Sequence, residues 1–345
     1  ERAVDYAYQT RAKFPDRRVL MVGEIIHNPH VNAKLRAMGI EILMPGANGA
    51  GFDYSGVTPA DVVIIPAFGV TMRDFETLRG INCVIVDTTC GSVLNVWKRV
   101  DGYARDGFTA LIHGKYYHEE TRATASQVAK YAGGTYLVVR NMEQARDVCD
   151  FIEGKGLSRD TFLARYRVQA SPHFDPDIHL GRIGVANQTT MLARESLAIG
   201  DAVGHAMARA KGDAYRAENF RTFDTICSAT QDRQDAVNEL LREPLDVMLV
   251  IGGYNSSNTI SLAALCDERV PTFHVADANC IDVAAGSVRH LRPGGSEEIE
   301  TAGWLRTAGD LRVGITAGAS TPNNKIGEAV ARIFASRGVD PASIV

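Results

Sequence analysis

The chain has 345 residues, of which 45% are hydrophobic and 23% are charged, with a formal net charge of −4. This length allows two or three globular modules, while the charge provides no basic surface for nucleic acid or an anionic membrane. No apolar run approaches the roughly 20 residues of a membrane span, and six dispersed cysteines indicate a reducing compartment rather than a secreted disulfide scaffold.

A strand, a polar loop and a helix alternate along the chain, and this alternation predicts parallel α/β sheets. The helix-like segment 1–13 has no capping residue before it, so we expect further residues upstream. Apolar, β-branched runs predict strands at 18–22, 40–44, 61–65, 82–86, 108–112, 135–139, 182–186, 245–251, 272–275 and 311–315. Apolar periodicity predicts helices at 31–38, 73–78, 93–104, 121–131, 142–151, 191–210, 234–241, 260–266 and 327–336.

Two segments do not fit this alternation. The polar stretch 153–177 is predicted to be a mixed insertion, and 286–300 is predicted to be an irregular connection. The unusual polar clusters instead follow the predicted strands, at 23–28, 87–90, 113–120, 187–190, 224–231, 252–258 and 316–321. Because parallel α/β folds bind ligands at the carboxyl ends of strands, these loops predict one central site shared by several modules.

Two of these loops contain a cysteine behind the same prefix, in Asp87-Thr88-Thr89-Cys90 and Asp224-Thr225-Ile226-Cys227. A lone cysteine is more often a small buried hydrophobe. The repeated polar setting favours two thiolate ligands near helix N-termini, which stabilise thiolates and suit iron. The other cysteines are predicted to be structural: Cys83 lies in an apolar run, Cys149 lies in a helix-like period, and Cys266 and Cys280 have no motif.

Other loops carry neutral hydrogen-bond donors. The stretch Asn255-Ser256-Ser257-Asn258 follows an apolar strand, and four consecutive hydrogen-bonding residues exceed what a helix cap requires. They favour an anion at a helix start over the simpler interpretation as a cap. Ser320 lies in a similar loop, 316–322. His27 and His118 also follow predicted strands; each is equally consistent with a structural histidine and with a phosphate ligand that moves protons.

Together these motifs resemble the 4-hydroxy-3-methylbut-2-enyl diphosphate reductase family, in its plant and cyanobacterial branch. The resemblance extends from the first residues to 316–322. It is carried by Asn28-Pro29, by Ile65-Pro66-Ala67-Phe68-Gly69, by the stretch from Ile112 to Thr121 that reads IHGKYYHEET, and by the stretch from Ala186 to Met191 that reads ANQTTM.

The resemblance implies three parallel-sheet α/β modules in a trefoil-like arrangement around a central 4Fe–4S cluster. We expect them at 1–90, lacking its N-terminal strand, at 91–223, with an insertion near 153–180, and at 224–345. Cys90 and Cys227 would be two cluster ligands. The third family cysteine would stand four residues before Glu1, outside this sequence.

The resemblance also implies residue roles. Glu120 would protonate the leaving hydroxyl, with Thr189 or Thr190 beside it. The residues implied to bind the diphosphate are His27, His118, Ser256, Ser257, Asn258 and Ser320. Two departures concern the loops: Phe68 stands where some members have histidine, and Gly91-Ser92 follows Cys90 where a proline and an aromatic residue are common.

The implied activity is a two-electron reductive dehydroxylation that yields isopentenyl and dimethylallyl diphosphates, with ferredoxin or flavodoxin as electron donor. An iron–sulfur redox sensor that binds an anionic effector is the alternative, and turnover separates the two. A cluster-free diphosphate-binding protein is a third hypothesis, which iron analysis tests. We expect a cytosolic monomer or homodimer, with a plastid as the alternative location, and no nucleic-acid or membrane partner.

Overall fold

The computed structural model describes residues 2–46, 51–223 and 227–340. The chain divides into two compact units, the first formed by Glu1–Ile26 and Asn32–Cys227 and the second by His27–Val31 and Ser228–Val345. Three β-sheets with helices between their strands confirm the α/β class. Among the described residues, no helix has the length and apolar character that crossing a bilayer requires.

The first sheet of the first unit is parallel, in the order β2-β1-β3-β4. Its central strands β1 and β3 are runs of Val, Leu, Ile and Met that are buried on both faces, as expected for a parallel sheet covered by helices. The strands are β1 (Val19–Val22), β2 (Ile40–Leu43), β3 (Val62–Ile65) and β4 (Val84–Asp87). The helices in this part of the chain are α1 (Arg2–Lys13), α2 (Pro29–Ala37), α3 (Met72–Ile81) and α4 (Gly91–Arg105).

The second sheet of this unit is also parallel, in the order β6-β5-β7-β8. Its strands are β5 (Thr109–His113), β6 (Tyr136–Val139), β7 (Ile183–Asn187) and β8 (Phe220–Thr222). Its helices are α5 (Glu119–Ala125), α6 (Met142–Ile152), α7 (Arg159–Tyr166), α8 (Pro176–His179), α9 (Ala193–Lys211) and α10 (Asp213–Asn219), with a 3₁₀ helix at Ser126–Lys130. The adjacency of β5 and β7 places the loops that follow them side by side.

The second unit contains a mixed sheet in the order β11-β12-β10-β9-β14, with β13 paired to β12. Its strands are β9 (Val247–Ile251), β10 (Thr272–Val275), β11 (Ile281–Asp282), β12 (Ser287–Leu291), β13 (Glu298–Ala302) and β14 (Val313–Ala317). Its helices are α11 (Ser228–Leu240), α12 (Ser257–Asp267) and α13 (Asn323–Ser336), with a 3₁₀ turn at Ala278–Cys280. Strands β10, β9 and β14 are parallel, so the loops after β9 and β14 are neighbours.

All ten predicted strands are present, with ends within two residues of those predicted. The prediction that 286–300 is an irregular connection is wrong, because β12 and β13 pair antiparallel there across the Pro293-Gly294-Gly295 turn. The glutamates of β13 concealed the strand; they face outward in alternation with half-buried residues, as on a solvated sheet edge. The predicted helix 121–131 is interrupted at Ser126, whose hydroxyl donates to the Ala123 carbonyl at 2.7 Å, a bond that competes with the helical ladder.

The second sheet depends on a close approach at Gly184 in β7. A Cβ atom there would lie 2.4 Å from the buried ring of Tyr103, whose hydroxyl donates to the Val185 carbonyl at 2.9 Å. We therefore expect Gly184→Ala to lower the free energy of unfolding by about 2 kcal/mol through overpacking. Gly80→Ala, at an exposed helical site with no atom within 4 Å of the added Cβ, should instead raise it by about 0.5–1 kcal/mol. Denaturant unfolding of the two variants measures this, and equal stability would contradict the packing described.

Candidate functional site

A buried carboxylate lies where the loops after β5 and β7 meet. Glu120 is in the first turn of α5 and is 1% exposed. Its Oε1 atom accepts a hydrogen bond of 2.6 Å from the backbone N–H of Thr189, which follows β7 and is itself buried. A buried carboxylate is costly unless it is hydrogen-bonded, so this bond fixes both the acid and the loop.

Gln188, for which the sequence predicted no role, joins the same two loops. Its Oε1 atom accepts from the backbone N–H of Lys115 and from the hydroxyl of Thr121, both at 3.1 Å. Its Nε2 group donates to the Thr190 hydroxyl at 2.9 Å. The side chain is buried, so it connects α5 with the predicted site residue Thr190. The only signal in the sequence was its place within the Asn-Gln-Thr-Thr motif.

His118 caps the helix that contains Glu120. Its Nδ1 atom accepts from the backbone N–H of Glu120 at 3.2 Å, so in the neutral ring the proton resides on Nε2. The ring is buried and meets the edge of Phe68 at a centroid distance of 5.5 Å. An aromatic side chain thus packs against His118 at the position where some members of the resembled family have a second histidine.

The aspartate of the prefix before Cys90 has a structural explanation. The Oδ1 atom of Asp87 accepts from the Thr89 backbone N–H at 2.9 Å and from the Thr89 hydroxyl at 2.5 Å. This turn places Cys90 at the N-cap of α4. The Cys90 backbone N–H donates to the Ala67 carbonyl, and its thiol forms no capping bond. Cys90 is exposed at a helix N-terminus, a setting that favours negative charge.

Cys227 is half-buried, and its backbone N–H donates to the carbonyl oxygen of Thr189 at 3.2 Å. The Thr189 residue is therefore bonded on one side to the Glu120 carboxylate and on the other to the Cys227 backbone. The remaining residues of this motif, Asp224, Thr225 and Ile226, lie outside the described residues. Within the first unit, sheet order thus links Glu120, Thr189 and Cys227.

In the second unit, the start of α12 presents a row of buried polar side chains. Ser256 is the N-cap residue, and its hydroxyl accepts from the Thr259 backbone N–H at 3.4 Å. Ser257 and Asn258 follow in the first turn, each 3% exposed. Free N–H groups and the positive end of the helix dipole make such a start suitable for an anion.

Asn258 carries the clearest sign of a ligand. Its Oδ1 atom accepts from the Ala319 backbone N–H at 2.8 Å, which ties α12 to the loop after β14. Its Nδ2 group is buried and has no hydrogen-bond partner within the described part of the chain. Since a buried donor without a partner is costly, the group is suited to an acceptor that comes from outside the protein.

His27 and Ser320 belong to the same unit and are brought together by a backbone connection. The Ser320 hydroxyl donates to the His27 carbonyl at 3.4 Å, and the Asn28 side-chain amide donates to the Ser320 carbonyl at 2.7 Å. The Nδ1 atom of His27 lies 3.5 Å from the Asn255 amide nitrogen. The Asn-Pro motif therefore has a local function, because Asn28 fixes the segment that carries His27.

Two buried histidines near these loops are uncharged around neutral pH. His113 ends β5, and its Nδ1 atom lies 2.8 Å from the Ser196 hydroxyl; burial lowers its pKa. His274 in β10 donates from Nε2 to the Gly252 carbonyl at 3.0 Å, and burial lowers its pKa to about 4. Neither ring adds positive charge near neutral pH.

The chain matches the family model described as LytB protein over residues 1–334. This chain belongs to the LytB family. Three relatives named 4-hydroxy-3-methylbut-2-enyl diphosphate reductase support the membership. The Gloeobacter violaceus protein is 47% identical over 98% of this chain and 80% of its own length, and the Thermosynechococcus vestitus protein is 46% identical over 99% and 83%. The Botryococcus braunii protein, named as chloroplastic, is 43% identical over 98% and 67%.

Solved structures agree with this membership. A structure of (E)-4-hydroxy-3-methyl-but-2-enyl diphosphate reductase, named as the terminal enzyme of the non-mevalonate pathway, aligns with a TM-score of 0.55 and 27% identity over 96% of this chain and 93% of its own. The Plasmodium falciparum reductase aligns with a TM-score of 0.68 and 18% identity over 96% and 83%, which supports the fold alone. The predicted resemblance to this family is thereby confirmed, while the roles of individual site residues stay predictions.

The thiols of this LytB-family chain fall into two groups. Burial raises the pKa of Cys149 to about 11 and that of Cys266 to about 12, and it raises the pKa of Cys83 as well. Cys280 is buried. Cys90 and Cys227, by contrast, lie in polar loops at strand ends. These two thiols fit the thiolate donors of an iron–sulfur cluster in type and setting.

The unpartnered amide of Asn258 leads to a direct test. Asn258→Asp keeps the acceptor for Ala319 but replaces the Nδ2 donor by a charged oxygen that repels anions. We expect the dissociation constant for inorganic diphosphate to rise by more than about tenfold, the loss of a hydrogen bond to a charged group. Asn238→Asp, at an exposed site on α11, adds the same charge and should change binding little. Calorimetric titration measures both, and equal affinities would exclude Asn258 as an anion ligand.

Proposed function

We propose that this LytB-family chain is a 4-hydroxy-3-methylbut-2-enyl diphosphate reductase, an oxidoreductase of the non-mevalonate isoprenoid route. It adds two electrons and two protons to an allylic alcohol, releases water, and gives isopentenyl and dimethylallyl diphosphates. The observation that carries the proposal is the buried Glu120 carboxylate, which the backbone of one residue, Thr189, links to the backbone of Cys227. This arrangement holds the proposed proton donor and a proposed cluster ligand on connected loops, which suits a proton-dependent reduction.

Glu120 is proposed to supply the proton for the leaving hydroxyl. Hydroxide is a poor leaving group, so protonation by a positioned acid accelerates the loss of water. The Thr189 N–H holds Oε1 as an acceptor, so the transferable proton of the acid is carried on Oε2. The hydroxyls of Thr189 and Thr190 are proposed to orient the reacting group.

The diphosphate is proposed to be bound by neutral donors. In the second unit these are His27, Ser256, Ser257, Asn258 and Ser320, and in the first unit the donor is the Nε2–H group of His118. Neutral donors hold an anion less tightly than charged side chains do, which permits product release. The unpartnered amide of Asn258 supports this role most strongly.

A 4Fe–4S cluster is the proposed cofactor, with Cys90 and Cys227 as ligands and a third cysteine expected upstream of Glu1. When bound, such a cluster supplies single electrons and a Lewis-acidic iron for the substrate hydroxyl. The electron donor is proposed to be a ferredoxin or flavodoxin. We propose a cytosolic location; the chloroplastic relative from Botryococcus braunii supports a plastid as the alternative.

Glu120→Gln tests the proton donor. The amide cannot supply a proton, so we expect turnover in an anaerobic dye-coupled assay to fall by about 10²–10⁴-fold, the usual contribution of general acid catalysis. Iron content should not change. Glu143→Gln, which alters an exposed carboxylate in the first turn of α6, should keep wild-type turnover. Normal turnover in Glu120→Gln would contradict the role of Glu120 as proton donor.

Cysteine replacement tests the cofactor. We expect Cys90→Ser and Cys227→Ser to lose most of the iron and sulfide that bind on anaerobic reconstitution, since each removes a thiolate ligand. Cys149→Ser, in the core, should retain the wild-type iron content. The measurement is iron per chain, with visible absorption as a second readout, in protein extended upstream to include the expected third cysteine. Full iron content in both loop variants would rule out these ligands.

A further inference from the structure

One surface of the first unit is unusually basic. Five cationic side chains lie on α4, before β7 and on the edge strand β8, and all are exposed. We call this set the α4–β8 surface: Lys98, Arg99, Arg105, Arg182 and Arg221. It contrasts with the net charge of −4 of the whole chain.

Aromatic rings hold three of these arginines in a row. The Arg99 guanidinium lies 3.8 Å from the ring centroid of Phe223. The guanidinium groups of Arg182 and Arg221 lie 4.4 and 4.2 Å from the centroid of the buried Phe108 ring. Cation–π contacts of this kind restrict the side chains, so less freedom is lost when they bind a partner.

Across residues 2–46, 51–223 and 227–340, few carboxylates neutralise the surface. Asp106 accepts from Arg105 at 3.0 Å and from Arg221 at 2.6 Å, so one carboxylate serves two cations. Asp101, also on α4, is held by Lys130 at 3.2 Å.

The other three cations have no acidic partner in the part of the chain that the structure describes. Within the described residues, Lys98, Arg99 and Arg182 have no carboxylate at ion-pair distance. The α4–β8 surface therefore keeps a positive excess that an acidic partner would compensate.

Apolar side chains and Cys90 lie on or directly beside the same elements. Phe223 is 43% exposed and Leu94 on α4 is 37% exposed, which is typical of residues that a partner covers. Cys90 caps the start of α4, about 14 Å along the helix axis from Arg99 at 1.5 Å per residue. Phe223 stands four residues before Cys227. The surface thus shares a helix with Cys90 and lies close to Cys227 in sequence.

We propose that the α4–β8 surface docks a small acidic iron–sulfur protein, which delivers two electrons singly per substrate converted. This inference rests on the proposed function, in which one alcohol consumes two electrons and two protons and releases one water. An iron–sulfur carrier supplies single electrons at the low potentials that loss of hydroxide demands. Charge complementarity speeds encounter and allows rapid release, which suits a carrier that must bind twice per turnover.

The test reverses charge where no ion pair is broken. The α4 variant, Lys98→Glu/Arg99→Glu, is compared with a control variant, Arg242→Glu/Arg269→Glu, which places the same charge change at exposed sites of the second unit. Reconstituted protein is assayed with reduced viologen and with a plant-type ferredoxin. We expect the KM for ferredoxin to rise at least about tenfold in the α4 variant, with viologen-driven turnover and iron content unchanged. The control variant should retain the wild-type KM.

Salt dependence provides an independent readout. Raising the ionic strength should raise the wild-type KM for ferredoxin several-fold and narrow its difference from the α4 variant, because exposed charges are screened. An unchanged KM for ferredoxin in the α4 variant would contradict docking at the α4–β8 surface. If an acidic flavin protein supports turnover through the same surface and ferredoxin does not, the choice of an iron–sulfur carrier is overturned.

Two further outcomes of the viologen assay have a different meaning. Loss of viologen-driven turnover in the α4 variant would indicate a damaged site, and Arg182→Glu, farther from the cysteines in sequence, then repeats the test. Absence of viologen-driven turnover in the wild-type protein would contradict the proposed function instead. In that case, titration of ferredoxin with each variant, followed by the amide resonances of ferredoxin, still reports on docking. Identical chemical-shift changes for the α4 and control variants would contradict docking at the α4–β8 surface.

Discussion

The hydrogen bond between the Thr189 backbone and the Glu120 carboxylate organises the first unit. Glu120 is almost fully buried, so its oxygen must be satisfied inside the protein. The Thr189 N–H is available because β7 ends at Asn187 and the last bond to β5 is made by the Gln188 N–H. The loop reaches α5 because β5 and β7 are hydrogen-bonded neighbours. The carbonyl oxygen of Thr189 then accepts from the Cys227 backbone N–H, so Glu120 and Cys227 both take their positions from the order of strands in one sheet.

The second unit follows the same principle with different groups. Strands β9 and β14 are parallel neighbours, so the start of α12 meets the loop after β14. The approach is close: a Cβ atom on Gly318 would lie 2.0 Å from the Thr259 hydroxyl, which only glycine permits. Asn258 joins the two segments through its oxygen, and its buried nitrogen has no hydrogen-bond partner among the described residues. The groups proposed to bind the diphosphate are therefore held in place by the fold itself.

The strands and most loop positions were predictable from the sequence because their signals are local. Buried parallel strands are continuous runs of Val, Ile and Leu, and polar clusters directly after them mark the ligand edge. The hairpin β12–β13 was missed because its outward glutamates suppress the apolar signal. Gln188 was missed as a connector because its partners, Lys115 and Thr121, lie far away in sequence and are brought close only by sheet order.

Residue chemistry alone indicated thiolate ligands and an anion site, whereas the specific roles of Glu120 and the threonines came from the family resemblance. The structure adds a physical reason for several motif positions: Asp87 forms the turn before Cys90, and Asn28 fixes the segment with His27. These residues have scaffolding functions that a motif does not reveal, because a motif does not distinguish a residue that touches substrate from one that holds its neighbour.

Turnover of the hydroxylated diphosphate is the most direct test of the assigned activity. Protein extended upstream to the expected third cysteine is reconstituted with iron and sulfide under anaerobic conditions, and oxidation of a reduced viologen is followed after (E)-4-hydroxy-3-methylbut-2-enyl diphosphate is added. We predict substrate-dependent oxidation of two viologen equivalents per substrate, with isopentenyl and dimethylallyl diphosphates both formed. A protein with full iron content that oxidises no viologen and forms neither product would contradict the assignment.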